Sequence, residues 1–359
     1  MTAHFDLILA GAGHAHLGVL RLWAQGRRPA GRIGLVGPVA HAWYSGMLPG
    51  LLAGRYRAEH CRIALGPLCA AAGVELLQGQ IDGLDADSGT LQLSDGRAYS
   101  ADWLSLNVGS QPAGLAVQEP GMELLPVKPF EAFVDTWQRW QRAPQALALL
   151  GGGAAGVELA LAMAPRVPAL TLFSRSPILS GHPAALRRRA LRHLASAGVT
   201  VGEGVDVGCA RADALVGGDE VIWRGQRAVV ATGASALPWL RGGGLACDAG
   251  GFVRIAATLQ SLSHPRVLAV GDCASHAAMP RNGVYAVRQG PVLAANLQAA
   301  LSGQPLQPFR PQRNALALLA DGRGGALLSW AGLTAEGRWL GRWKDHLDRR
   351  FIARHSIGP

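Results

Sequence analysis

Two glycine-rich loops, each directly following a short apolar run, stand 140 residues apart in this chain. Gly11-Ala12-Gly13-His14-Ala15-His16 follows Phe5 to Ala10, and Gly151-Gly152-Gly153-Ala154-Ala155-Gly156-Val157-Glu158 follows Ala146 to Leu150. A strand, a glycine turn and a helix start together make an anion site, because free backbone N–H groups and the positive end of the helix dipole point at one spot. One such loop is a common pattern. Two in one chain predict two dinucleotides facing each other across a cleft. The rest of the pattern agrees. After each loop a helix and further strands follow, and each unit closes on a strand ending in small residues, Asn107-Val108-Gly109-Ser110 in the first and Ala231-Thr232-Gly233-Ala234 in the second. The expected fold is therefore α/β, one Rossmann-like unit used twice, with a short C-terminal extension.

Bulk properties narrow the class. At 359 residues, with 49% hydrophobic and 16% charged residues, the chain has enough apolar material for two or three ordered domains. The net charge of +10 would ordinarily raise nucleic acid as a partner. The basic residues, however, are 32 Arg against two Lys (Lys128 and Lys344), a compositional bias rather than a basic face, and no nucleic-acid module is recognisable. Met1-Thr2-Ala3-His4 runs straight into the first strand without a basic n-region, so a cytoplasmic protein is expected. The longest apolar stretch, Ala146 to Ala164, contains a glycine loop and Glu158, and reads as a buried strand-loop-helix rather than a membrane span. Five Cys without a CxxC pair fit a reducing compartment and buried thiols. Gln111 to Pro126, rich in Pro and Gly, reads as a linker.

The ordered set of GxG loop, NVGS, GGGxxGxE, VATGA and VGD resembles the two-dinucleotide flavoproteins of the pyridine nucleotide-disulfide oxidoreductase superfamily. Within it, the chain is most similar to the type II NADH dehydrogenase branch. The run His41 to Gly50 (HAWYSGMLPG) stands where disulfide reductases carry a CxxxxC pair, has no cysteine, and resembles that branch's flavin-facing segment. Leu125 to Phe130 (LPVKPF) also resembles a stretch leading into the second domain. The wording GAGHAHLG, YSGMLPG and GVYAVRQGPVLA is similar to a subgroup associated with selenide-water dikinase. The resemblance implies FAD in a first domain split between residues 1–114 and 246–308, an inserted NAD(P)-binding domain at 115–245, and an extension at 309–359.

It also implies site residues. Gly11, Gly13, His14, Ala15 and His16 would form the FAD pyrophosphate loop, with His16 where a third glycine normally lets helix and strand pack tightly, so that the helix shifts or His16 is tucked aside. A metal reading of His14 and His16 finds no further ligands at suitable spacing. The acid that usually holds an adenosine ribose is absent, Gly37-Pro38 standing there. Met47, Leu48, Pro49 and Gly109 would face the flavin; Gly271-Asp272 would place a carboxylate on its ribityl chain. The helix opening at Gly283 and Val284 would aim its N-terminus at the pyrimidine end. Gly151, Gly153, Ala154 and Gly156, with Thr232 and Gly233, would hold the nicotinamide dinucleotide, and Glu158 would lie near nicotinamide and flavin as the catalytic candidate. Ser174-Arg175 occupies the place where NAD enzymes put a carboxylate, a lean toward NADPH.

The expected reaction passes a hydride from NAD(P)H to FAD and on to a quinone, a redox protein or a small selenium or sulfur species, without a redox-active disulfide. Quinone is questioned by Gly283-Val284 and Arg288, which replace the branch's AQxxxQ pattern; Arg288 suits an anionic acceptor or the charge of reduced flavin, or is a surface residue. The basic surface also fits docking of an acidic electron carrier. A flavin-binding sensor or partner module without turnover, linked to selenophosphate synthesis, is the alternative. Finally, Trp339, Trp343, Leu347 and Phe351 recur at four-residue steps among Arg and Lys. A helix over 338–355 would carry them as one face, either packed on the protein or a partner, or lying peripherally on the inner membrane face.

Overall fold

The computed structural model describes residues 3–279 and 281–357. The leader reading rests partly on Met1 and Thr2, which lie outside the described residues. Strand Ala3–Ala10 is the centre of the first sheet, its alternating and then continuous apolar residues buried on both sides. Ile33–Gly37 and Ala98–Leu106 flank it in parallel, and Glu75–Gln78 lies outside Ile33–Gly37. Val267–Ala269 returns from far along the chain to pair with the end of Ala98–Leu106, Leu106 opposite Ala269. That register delivers Gly271-Asp272 to the carboxyl edge of the sheet, beside Asn107 and the first glycine loop. The antiparallel strands Ile81–Asp85 and Thr90–Leu93 extend the same sheet from the other half of Ala98–Leu106.

The second sheet is wholly parallel, in the order Glu123–Pro126, Arg227–Val230, Leu147–Leu150, Leu170–Ser174, Val199–Glu203. Ala146 to Ala164 is strand, loop and helix, and among the described residues no helix is long and apolar enough to cross a membrane. The linker expected over 111–126 is instead structured. Ala116–Glu119 joins a small four-stranded sheet, and Glu123–Pro126 pairs with Arg227–Val230. Leu124 and Leu125 supply apolar side chains for that pairing, and Pro126 is tolerated because the strand is an edge.

Five helices matter for the site: α1 (His14–Leu22), α2 (Ala154–Met163), α3 (Ala184–Ser196), α4 (Gly283–Leu301) and α5 (Arg338–His355). Before α5 comes an antiparallel sheet of Ala317–Ala320, Ala326–Trp330 and Leu333–Gly337, which the sequence reading did not anticipate. This C-terminal cap touches both dinucleotide units. Leu319 and Leu327 sit in the core built by the second sheet and α2, whereas Phe351 and Ile352 pack on the core of the first. Glu336 is held by Arg189 (2.8 Å), Arg192 (3.0 Å) and His193 (3.2 Å), all from α3.

The four-residue stripe on α5 divides. Steps of four overshoot the 3.6-residue turn by about 40°, so Phe351 lies about 120° around from Trp339. Phe351 packs inward, while Trp339 (59% exposed), Trp343 (39%) and Leu347 (37%) face solvent, continuous in kind with Trp330 and Leu333 at the tip of the preceding hairpin. The inward face is made by Leu340, Gly341, Asp348 and His355.

Candidate active site

The first loop fits a pyrophosphate. Gly11 has φ +86°, and a Cβ there would lie 2.6 Å from the Asn107 carbonyl, so only glycine allows the turn. Asn107 Oδ1 accepts the N–H groups of Ala15 (3.1 Å) and His16 (3.2 Å), and its Nδ2 donates to the Val270 carbonyl (3.0 Å). One side chain therefore ties the loop, the strand end and the Gly-Asp turn together. The N–H groups of Gly13 and His14 have no protein acceptor among the described residues, which leaves them for an anion.

His16 is fully buried in the glycine's place and is completely satisfied. Its Nδ1 meets the Gly11 carbonyl at 2.6 Å and its Nε2 the Ser105 hydroxyl at 2.8 Å. Burial, opposed by the Gly11 hydrogen bond, lowers its pKa to about 4, so the ring is neutral, with Nδ1–H donating and Ser105 Oγ–H donating to Nε2. Helix α1 meets α4 at Gly18 and Gly290 rather than through a third loop glycine.

Asp272 lies on the Gly271–Cys273 turn. Lys128 Nζ donates to its Oδ2 at 3.1 Å, and the Ser110 hydroxyl stands 3.5 Å from the same oxygen. Gln289, buried on α4, accepts the Gly271 N–H at 2.8 Å, which makes it a support of the turn. The N-terminus of α4 is capped by Asn282, whose Oδ1 accepts from Val284 N (3.1 Å) and Tyr285 N (3.2 Å). Val284 is half-buried there; Arg288 is exposed and points off the face that packs α4 to the protein. Cβ atoms built on Gly109 and Gly283 meet nothing within 4 Å, so space remains beside both for a ligand, although the backbone at Gly109 (φ +72°) itself favours glycine.

Met47, Leu48 and Pro49 are buried at the start of the short helix Leu48–Leu52. Tyr44, just before them, stacks on Phe351 of α5 (centroids 4.3 Å, 16°), and His14 approaches both rings at 5.5 and 5.6 Å. Burial lowers the His14 pKa to about 4, with Asp272 opposing and Lys128 and His355 assisting.

In the second loop a Cβ on Gly156 would collide with the Gly151 carbonyl and one on Gly151 with the Ala231 carbonyl, so helix α2 sits directly on the loop. Gly153 and Gly233 open onto free space, and the Ala154 N–H has no acceptor among the described residues. Thr232 Oγ1 donates to the Ala113 carbonyl at 2.6 Å, securing the strand end beside the loop. Ser174 is buried and donates to the Ser176 carbonyl at 2.6 Å; Arg175 is exposed and has no ion-pair or hydrogen-bond partner among the described residues. The nearby acid Glu203 is already engaged, accepting from Ile178 N at 2.7 Å and from Arg187.

Glu158, on α2, accepts the Ala320 N–H of the cap at 2.6 Å. Burial pushes its carboxyl up to about 7, against the opposing influence of Lys344 and the Ala320 N–H and with Asp348 adding to the rise. Lys344 Nζ reaches the Gly46 carbonyl (2.7 Å) and Asp348 Oδ2 (2.8 Å). Burial raises both the Tyr44 hydroxyl and the Asp348 carboxyl, with the nearby Asp348 charge adding to the rise at Tyr44 and Lys344 opposing the rise at Asp348. Tyr56 donates to Asp345 at 2.5 Å. Helix α5 thus brings Lys344, paired with Asp348, to the segment 41–50, and Asp345 to Tyr56 just beyond it. Sequence reasoning missed Asn107, Asn282, Lys344 and Asp348; the Asn before Gly283-Val284 was a readable cap signal, whereas the cap residues carry none. The cysteines are all free, and burial pushes Cys61 and Cys69 to about 12 and Cys273 to about 11.

Two sheets, the first parallel at its centre and the second parallel throughout, each with an anion-ready glycine loop, and a carboxylate turn at the edge of the first, define a flavoprotein oxidoreductase of the two-dinucleotide class. The chain belongs to the pyridine nucleotide-disulphide oxidoreductase family, whose model matches residues 5–290. It is an FAD-dependent NAD(P)H oxidoreductase. Its fold is similar to the sulfide:quinone oxidoreductase of the hyperthermophilic bacterium Aquifex aeolicus (TM-score 0.80, 17% identity, 100% of this chain and 93% of that one). It also resembles the water-forming NADH oxidase of Lactobacillus brevis bound to NADH (0.74, 17%, 91% and 75%). The third likeness is to an engineered variant of that enzyme, a water-forming NADPH oxidase bound to NADPH (0.74, 18%, 90% and 74%). No curated protein matches the sequence.

Proposed function

We propose that the chain is an NADPH:quinone oxidoreductase that meets its acceptor at a lipid surface. The observation that carries this reading is the two-sidedness of α5. Its inner face brings Lys344, Asp348 and Phe351 to the segment that would face the flavin. Its outer face exposes Trp339, Trp343 and Leu347, flanked by Arg338, Arg342, His346 and Arg350, the composition of an interfacial helix on anionic lipid. An apolar acceptor dissolved in lipid would need to travel only the width of one helix.

FAD, when bound, supplies the two-electron relay between nicotinamide and acceptor. The loop at Gly11, Gly13 and His14 binds its pyrophosphate, with Asp272 on its ribityl chain and the α4 N-terminus at Gly283 and Val284 opposing negative charge. Gly151, Gly153, Ala154 and Gly156 hold NADPH. Overall, NADPH, one proton and quinone give NADP⁺ and quinol; a carboxyl near neutrality such as Glu158 is suited to hand over the proton that the nicotinamide does not supply. The preference for NADPH is supported by the unpartnered Arg175 and by Glu203 being engaged elsewhere. In the engineered NADPH oxidase three consecutive residues, Asp-Ala-Met, are replaced by Ala-Arg-Ser; this chain reads Ser174-Arg175-Ser176.

The test is anaerobic reduction of the FAD-loaded protein by NADPH and NADH in turn, then reoxidation by a quinone in anionic vesicles. Faster bleaching with NADPH and reoxidation by vesicle quinone support the reading. A flavin untouched by both donors would move the assignment to a binding module, and reoxidation only by a soluble redox protein or a small selenium or sulfur compound would replace the acceptor. The likeness to the subgroup associated with selenide-water dikinase makes that last class worth including.

A further inference from the structure

The chain uses 32 arginines and two lysines, and each lysine reaches a segment of the first glycine-loop unit. Lys344 reaches the flavin-facing segment at Gly46, and Lys128 reaches Asp272. A bias that fills surface positions with Arg leaves Lys where a compact ammonium on a flexible stem is required and a planar fork does not fit. Lys128 is also unusual in where it is mounted. The Val127 N–H makes the last rung of the second sheet, to the Val230 carbonyl at 3.1 Å, and Lys128 is the next residue. Its ammonium nevertheless crosses to the first domain, 3.1 Å from Asp272 Oδ2 and 3.3 Å from Ser110 Oγ, with lysine and aspartate side chains 32% and 27% exposed. The cation therefore belongs structurally to the nicotinamide domain and electrostatically to the flavin turn.

We propose that Lys128 is a positioning residue for the flavin site, which orients the Asp272 carboxylate and cancels its charge, so that reduced FAD does not face a bare anion. The proposal rests on the reading of Asp272 as the carboxylate that holds the cofactor. Removing the ammonium leaves Asp272 unpaired beside a group that becomes negative on reduction, which disfavours the reduced form. Removing the carboxylate as well removes the repulsion.

The experiment is a double-substitution cycle on the FAD-loaded full chain, with the flavin midpoint potential and FAD affinity as readouts. K128Q is expected to shift the two-electron reduction equilibrium about tenfold toward the oxidised form, about 30 mV. K128Q/D272N is expected to return to the parental potential, and K128R, which keeps the charge but not the shape, to hold the potential while binding FAD about tenfold more weakly. A K128Q potential equal to the parent, or a double variant as low as K128Q alone, overturns the proposal for Lys128. D272N with unchanged FAD affinity and potential would instead overturn the reading of Asp272 itself. Should K128Q not fold by circular dichroism, K128R against K128M carries the same comparison.

Discussion

Glu158→Gln should make the protein more stable, and only above the acid range. In the folded chain the carboxyl keeps its proton to about pH 7, whereas its ordinary value is 4.5. Between those values the native state binds more protons than the unfolded one, so stability falls as pH rises through the window, and the penalty is complete above it. A rise from 4.5 to about 7 converts to about 3 kcal/mol at most, and because Glu158 is only half-buried this falls to roughly 1–3 kcal/mol. Glutamine keeps an oxygen to accept the Ala320 N–H and never ionises. Lys344 is not orphaned, because Asp348 and the Gly46 carbonyl still hold it. The assay is denaturant unfolding of the FAD-free parent and variant at about pH 5 and about pH 8.5, read as the change in their difference, so that other titrating groups cancel. The variant's relative gain at the higher pH should be roughly 1–3 kcal/mol. Parallel pH profiles for the two proteins would refute a desolvated Glu158.

His16→Gly restores the common loop glycine, yet it should destabilise the chain by roughly 2–4 kcal/mol in unfolding experiments, because a buried ring is deleted and the Gly11 carbonyl and Ser105 hydroxyl lose partners. Arg175→Ala should lower kcat/KM for NADPH about 10- to 100-fold and leave that for NADH within about twofold, measured as flavin reduction by each donor. Replacing Trp339 and Trp343 together by Glu should abolish sedimentation with anionic vesicles while flavin reduction by NADPH in solution stays at the parental rate. Raising salt should weaken vesicle binding of the parent, since the Arg residues of α5 supply its electrostatic share.

What could be read from the chain was local or repeated. Each glycine loop announces itself because strand, turn and helix are contiguous, and the Gly271-Asp272 turn follows a recognisable strand. What could not be read depends on partners distant in sequence. The vacancy left by the third glycine is filled by the His16 ring, whose Nε2 accepts a hydrogen bond from Ser105, 89 residues away. Asn107 organises the loop through contacts at Ala15, His16 and Val270, and nothing in the letters NVGS reveals them. The segment 111–126 looked like a linker because Pro and Gly outnumber its strand formers, but an edge position in a parallel sheet needs few of them. Helix α5 was legible as amphipathic; which of its faces met protein was not, since that is decided by the hairpins that precede it.

The three basic residues gathered on Glu336 have a consequence for how this protein could change. They fasten the cap to α3, while the other end of the cap lies on Tyr44, Tyr56 and α1. The two nucleotide units are thus joined not only by the chain crossing between them but by a third piece that grips both. Exchanging the nicotinamide unit for that of a relative would leave one end of this clasp without its counterpart unless α3 travelled with matching charges. On the proposed reading of α5 and Arg175, donor choice and acceptor access would then be inherited together.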